Sequence, residues 1–249
     1  HIIPESLGND EDVVEGAVCD GCQAYFAHSV EQPCLEHTPL AFWRTFLGIE
    51  SKKGRLPSVT LGKAPKGKIP SRHPGSDSLT LTAQPDGSTT LDAVSDRMVD
   101  VAKGTGRMRA HLVLTPWHLS TLGRFLAKVG LEYLWLADPG RALLPEFDEI
   151  RTFARRGSSS QLWPIFAGQR GTIEDLRGEL RVTAQGPEAE VLLYQYSLAQ
   201  TRRGDHVFAF RMGTDIYVVC LTHRRPDPYL REVVHGVELE CVWYKDGAW

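Results

Sequence analysis

The clearest periodic signal lies between Pro116 and Ala137. Leu119, Leu122, Phe125/Leu126, Val129 and Tyr133 recur at helical spacing. Thr115 can cap that helix, Pro116 suits its first position, and Asp138-Pro139-Gly140 ends it. A shorter helix is expected from Pro145 to near Gly157. Alternation of apolar and polar residues predicts strands at Glu179–Ala184, Glu190–Ser197, His206–Arg211, Asp215–Leu221 and Val237–Lys245. Leu79-Thr80-Leu81-Thr82 and Thr89-Thr90-Leu91-Asp92 flank Pro85-Asp86-Gly87, which reads as a hairpin. Nearer the start, short strands are expected at 1–3 and 13–18. A helix is expected from Gln23 to about Glu31, ended by Pro33, and another around Leu40–Leu47. Helices and strands do not alternate strictly, so the expected class is α+β.

Composition changes this picture little. The chain has 249 residues, 42% of them hydrophobic, enough for a core in its larger part. No apolar run approaches the roughly 20 residues that span a bilayer, and no signal-peptide pattern opens the chain. The expectation is a cytoplasmic protein with no membrane partner. There is no phosphate loop, His-Glu-x-x-His or nucleophile elbow. Trp117, Trp135 and Trp163 offer flat faces to bases, but their contexts favour core packing.

Charge is distributed unevenly. Residues 1–43 hold eight acids and no Lys or Arg; residues 44–72 hold eight bases and one acid, Glu50. An acidic segment followed by a basic one suits a metal site beside a phosphate-binding strip, although a charge run alone more often marks a solvated, salt-bridged surface. The five cysteines are not a disulfide framework. Cys220 and Cys241 lie in apolar runs and read as small buried residues. Cys19 and Cys22 have the spacing of a zinc knuckle, a redox pair or two core cysteines.

The first residues carry a resemblance. His1-Ile2-Ile3-Pro4-Glu5-Ser6-Leu7-Gly8-Asn9, the Cys19-Asp20-Gly21-Cys22 pair and Gln23-Ala24-Tyr25-Phe26 together resemble the HNH endonuclease family. Ser51-Lys52-Lys53-Gly54-Arg55-Leu56-Pro57 resembles the segment that follows the nuclease unit in that family. The likeness covers residues 1–57, fades through 116–156 and is absent beyond about residue 160.

The resemblance implies a small N-terminal ββα-metal module over 1–57, a basic Gly/Pro-rich connection over 58–78 and a larger α+β domain over 79–249. It implies metal-dependent hydrolysis of DNA phosphodiester bonds, in defence against foreign DNA or in mobile-element biology. His1 would be the general base, and Gln23 would stand where the family carries Asn. Glu31, with His28 second, would bind a catalytic divalent cation such as Mg2+. Cys19 and Cys22 would be half of a structural Zn2+ site. The chain would be truncated at the motif histidine, with an acidic ligand and a further Cys-x-x-Cys upstream. Arg44, Lys52, Lys53 and Arg55 would meet DNA phosphates. The alternative is a zinc-stabilised nucleic-acid-binding protein without catalysis.

Overall fold

The computed structural model describes residues 2–7, 9, 13–51, 53–61, 79–93, 99–102, 107–110, 114–157, 162–173, 175–176, 194–225, 234 and 237–242. Helices precede or interrupt antiparallel sheets, so the class is α+β. The expected strand at Glu179–Ala184 lies outside the described residues.

No described residue between 2 and 57 is in a strand. The two short strands expected at 1–3 and 13–18 are therefore not formed where they are described. A 3₁₀ turn, Glu5–Leu7, follows instead. Its shape comes from burial: Ile2, Ile3 and Leu7 all point inward, which alternation along a strand would not allow. Asn9 ties the loop down by donating from Nδ2 to the Ile3 carbonyl at 2.8 Å.

Helix α1 (Asp20–Phe26) runs into a π-helical turn, Ala27–Glu31, then α2 (Gln32–His37) and α3 (Pro39–Phe46). Pro33 does not end the helix as its missing N–H predicts. The wider π turn just before it interrupts the regular hydrogen-bond ladder where that donor would be needed. Thr38 then caps α3, its hydroxyl accepting from the Leu40 N–H.

Strands β1 (Ser58–Leu61), β2 (Leu79–Ala83) and β3 (Thr89–Ala93) form an antiparallel sheet in that order. The expected hairpin is thus present, and its turn holds Gly87 at φ +79°. Part of the segment read as a connection is a strand, because Val59 and Leu61 face Leu79, Leu81 and Ala41 in a small cluster. β4 (Val99–Ala102) and β5 (Arg107–Ala110) pair with each other.

The long helix α4 (Pro116–Ala137) occupies the expected span. His118 accepts the Thr115 N–H at its cap, and burial pushes the His118 imidazole down to about 4. After α5 (Pro139–Ala142), a 3₁₀ turn at Pro145–Phe147 leads into α6 (Asp148–Arg156). The largest sheet follows: β6 (Ile165–Gln169), β7 (Tyr194–Gln200), β8 (His206–Met212), β9 (Asp215–Cys220) and β10 (Glu240–Val242), ordered β10-β6-β9-β8-β7 and wholly antiparallel.

Both faces of the central strands β8 and β9 are covered, while edge strand β7 is largely exposed. Phe208, Phe210 and Met212 face the core shared with α4; Val207 and Ala209 face a second cluster with Phe166, Val218 and Leu239. Gly130 lets α4 sit close, since a Cβ there would come within 2.9 Å of Phe208. The same core contains Ile2, Ile3, Leu7, Val30 and Trp43, so the N-terminal segment packs on α4 and the sheet. Trp43 lies over the β8–β9 turn at Gly213, and its Nε1 donates to Asp215 at 2.8 Å.

Candidate functional site

The N-terminal segment, the π turn and α4 meet at a buried ion cluster. Lys128, in mid-helix, is 2% exposed. Its Nζ lies 2.8 Å from Glu31 Oε1 and 2.9 Å from Glu132 Oε2, and donates to the Ile2 carbonyl at 2.7 Å. Three distant pieces of chain are thereby joined by one ammonium group. Burial raises the Glu132 carboxyl to about 7, against the opposing pull of Lys128. At these distances the Lys128 ammonium forms ion pairs with both carboxylates.

Two cavities flank the cluster. The first, about 170 Å³, is lined by Pro4, Ser6, Glu31, Glu36 and Arg44, among others. Arg44 is half-buried there, its Nε has no hydrogen-bond partner among the described residues, and burial lowers the guanidinium from its usual range. The second, about 310 Å³, is bounded by Cys19, Cys22, Phe26, Lys128, Glu132, Trp135 and Arg155. Its walls are held by Arg124, which donates from Nε to the Ala154 carbonyl at 3.0 Å and from Nη2 to Tyr25 Oη at 2.8 Å. Tyr25 Oη in turn donates to the Arg155 carbonyl.

The residues expected to act are thus partly gathered. Glu31 and Arg44 share a cavity with Pro4 and Ser6 of the opening motif. His1 and Lys52 lie outside the described residues. Gln23 is half-buried on α1 and lines neither cavity, and His28 is exposed. Lys53 and Arg55 sit on an exposed turn, where the Ser51 N–H donates to the Arg55 carbonyl at 3.0 Å. Trp163 is buried; Trp117 and Trp135 are half-buried.

Cys19 caps α1, and Cys22 lies one turn along. The Cys22 backbone N–H and then its thiol stabilise the Cys19 thiolate, lowering the Cys19 thiol and raising that of Cys22. Among the described residues this pair belongs to no group of three or more potential ligands. A closed tetrahedral zinc site needs four, so these residues alone do not fit one.

Two residues of the cluster escape sequence reading. Lys128 and Glu132 have the i,i+4 spacing of an ordinary solvated pair. Only packing of the N-terminal segment on α4 makes that face interior. Cys220-Leu221-Thr222-His223 also passes as a strand end, although its Cys-x-x-His spacing is a usable signal. Cys220 is buried as expected; Cys241 is only half-buried. No helix among the described residues is long and apolar enough to cross a membrane. No family model, curated protein or solved structure matches this chain.

Proposed function

We propose that this chain is a metal-dependent DNA endonuclease of the HNH type. The observation that carries the reading is the cavity where Pro4 and Ser6 of the histidine-bearing motif meet Glu31 and Arg44. Glu31 and the neighbouring Glu132 are hard oxygen donors, which suit a magnesium-class cation with water completing its shell. Such a cation would supply charge neutralisation for a phosphodiester under attack. Glu31 would hold it, and Arg44, with an unpartnered Nε, would receive a phosphate oxygen. His1 would take the proton of the attacking water.

One observation favours the non-catalytic alternative. Lys128 already neutralises Glu31 at 2.8 Å, so metal would have to compete with a built-in ammonium group. A nucleic-acid-binding protein needs no such exchange.

Nicking of supercoiled plasmid in Mg2+ or Mn2+ decides between the two. Under the proposal His1→Ala loses about 10²- to 10⁴-fold in rate. Undiminished cleavage removes His1 from the mechanism, and binding without cleavage leaves the alternative. The DNA contact has its own measure. Replacing Lys52 and Lys53 by Ala is expected to reduce the slope of log affinity against log salt by about 1.8, at roughly 0.9 per phosphate contact. The loss is expected to be the same for unrelated duplexes.

A further inference from the structure

A second group of ionisable side chains lies away from the Glu31 cluster, at the far end of the β8–β9 hairpin. Asp205 immediately precedes β8, and Cys220 closes β9 with His223 three residues on. Their potential ligand atoms all lie within 4.8 Å of one another. Backbone pairing sets this up, because Val207 stands opposite Cys220 and the Leu221 N–H donates to the His206 carbonyl at 2.7 Å. We propose that Asp205, Cys220 and His223 form a binding site for a zinc-class divalent cation, with three protein ligands and a fourth position open to solvent.

The donor set points to that class. One thiolate, one imidazole and one carboxylate suit a borderline-soft ion with tetrahedral preference, whereas magnesium and calcium favour oxygen donors alone. The side chains of His223 and Asp205 are 27% and 20% exposed, which leaves an approach from water, while Cys220 is 2% exposed and fixes the inner side.

Surrounding groups hold these side chains in place. Thr222 Oγ1 donates to Asp205 Oδ1 at 3.1 Å and lies 3.3 Å from Cys220 Sγ. The Asp205 N–H donates to Thr201 Oγ1 at 3.2 Å, fixing the start of the strand. The Trp163 indole anchors the Cys220 carbonyl at 2.9 Å. Outer partners of this kind orient ligands.

The Arg225 N–H donates to His223 Nδ1 at 3.1 Å, so the neutral ring carries its proton on Nε2, 3.5 Å from Asp205 Oδ2. A cation bound at Nε2 shifts that proton to Nδ1 and gives up the Arg225 bond. A zinc-class ion takes Cys220 as its thiolate. Uptake therefore releases one proton, from Cys220.

The test uses the full chain carrying Cys19→Ser and Cys22→Ser, so that the thiol pair of α1 cannot answer; Cys34 and Cys241 remain and are separated from Cys220 by the Cys220→Ser variant. Co2+ is titrated as a spectroscopic stand-in for Zn2+, and Zn2+ is then used to displace it. The expected result is a tetrahedral cobalt spectrum with a thiolate charge-transfer band at one equivalent. His223→Ala, a half-exposed position, is expected to weaken binding by at least the roughly 10–100-fold that loss of an outer-shell partner costs. Cys220→Ser is expected to abolish the charge-transfer band. Absence of a cobalt spectrum, a spectrum without the thiolate band, or an affinity unchanged by His223→Ala overturns the proposal.

Discussion

At Glu31–Lys128–Glu132 the cation is a side chain of the protein itself, whereas none of Asp205, Cys220 and His223 carries a fixed positive charge. The first group is buried between helices and a loop, with Lys128 only 2% exposed. The second opens to water at two of its three members. The difference separates two uses of buried charge. An internal ammonium group fixes how the N-terminal segment docks on α4, because each carboxylate left without it would sit uncompensated in a poor solvent. Ligands without an internal cation remain available to one from outside. Glu31 stands between these roles. It is a structural partner of Lys128, and in the proposed nuclease it is also a metal ligand.

Removing the internal cation has the largest expected effect. Lys128→Met leaves two buried carboxylates and an unpaired Ile2 carbonyl, and is expected to cost about 3–5 kcal/mol in denaturant unfolding. A loss below about 1 kcal/mol would mean that water or a proton already compensates the carboxylates, and the two clusters would no longer differ in kind.

Acidity probes the same cluster more gently. Glu132 titrates near 7 in the folded chain against an ordinary 4.5, so its folded value is raised by burial. Between those two values the folded state holds a proton that the unfolded state has released. Stability from this group therefore falls as pH rises from about 4.5 to about 7 and then levels off, by up to about 3 kcal/mol. Glu132→Gln is expected to flatten that part of the profile. An unchanged slope in the variant would assign the pH dependence elsewhere.

Zinc is expected to act on the Asp205–Cys220–His223 group alone. In the chain lacking Cys19 and Cys22 thiols, free Zn2+ at 100 times its dissociation constant is expected to add about 2.7 kcal/mol to stability. His223→Ala is expected to remove that gain, while Glu132→Gln keeps it. Equal stabilisation of the His223→Ala chain would place the binding outside this group.

Local chemistry made several elements legible without a structure. Thr115, Pro116 and the stripe from Leu119 to Tyr133 mark α4 at both ends and along one face, because capping and periodicity act within a few residues. Pro85-Asp86-Gly87 marks the β2–β3 turn for the same reason. Glu31 is implied as a ligand only by the resemblance over residues 1–57, and the structure places Pro4, Ser6, Glu31 and Arg44 along one cavity.

Tertiary structure decided the rest. Val13–Val18 could be read as a strand, but it has no strand partner among the described residues. Pro33 reads as a helix stop, but the π turn before it carries the chain onward. Lys128 and Glu132 carry no sequence signal beyond i,i+4 spacing, and become a buried cluster because Ile2 and Glu31, about a hundred residues away in sequence, close over them. Asp205 and His223 are brought together only by the register of β8 on β9. Caps, turns and periodic faces are short-range, so sequence alone determines them. Burial of a charge and convergence of ligands depend on which distant segment packs where, and packing alone determines those.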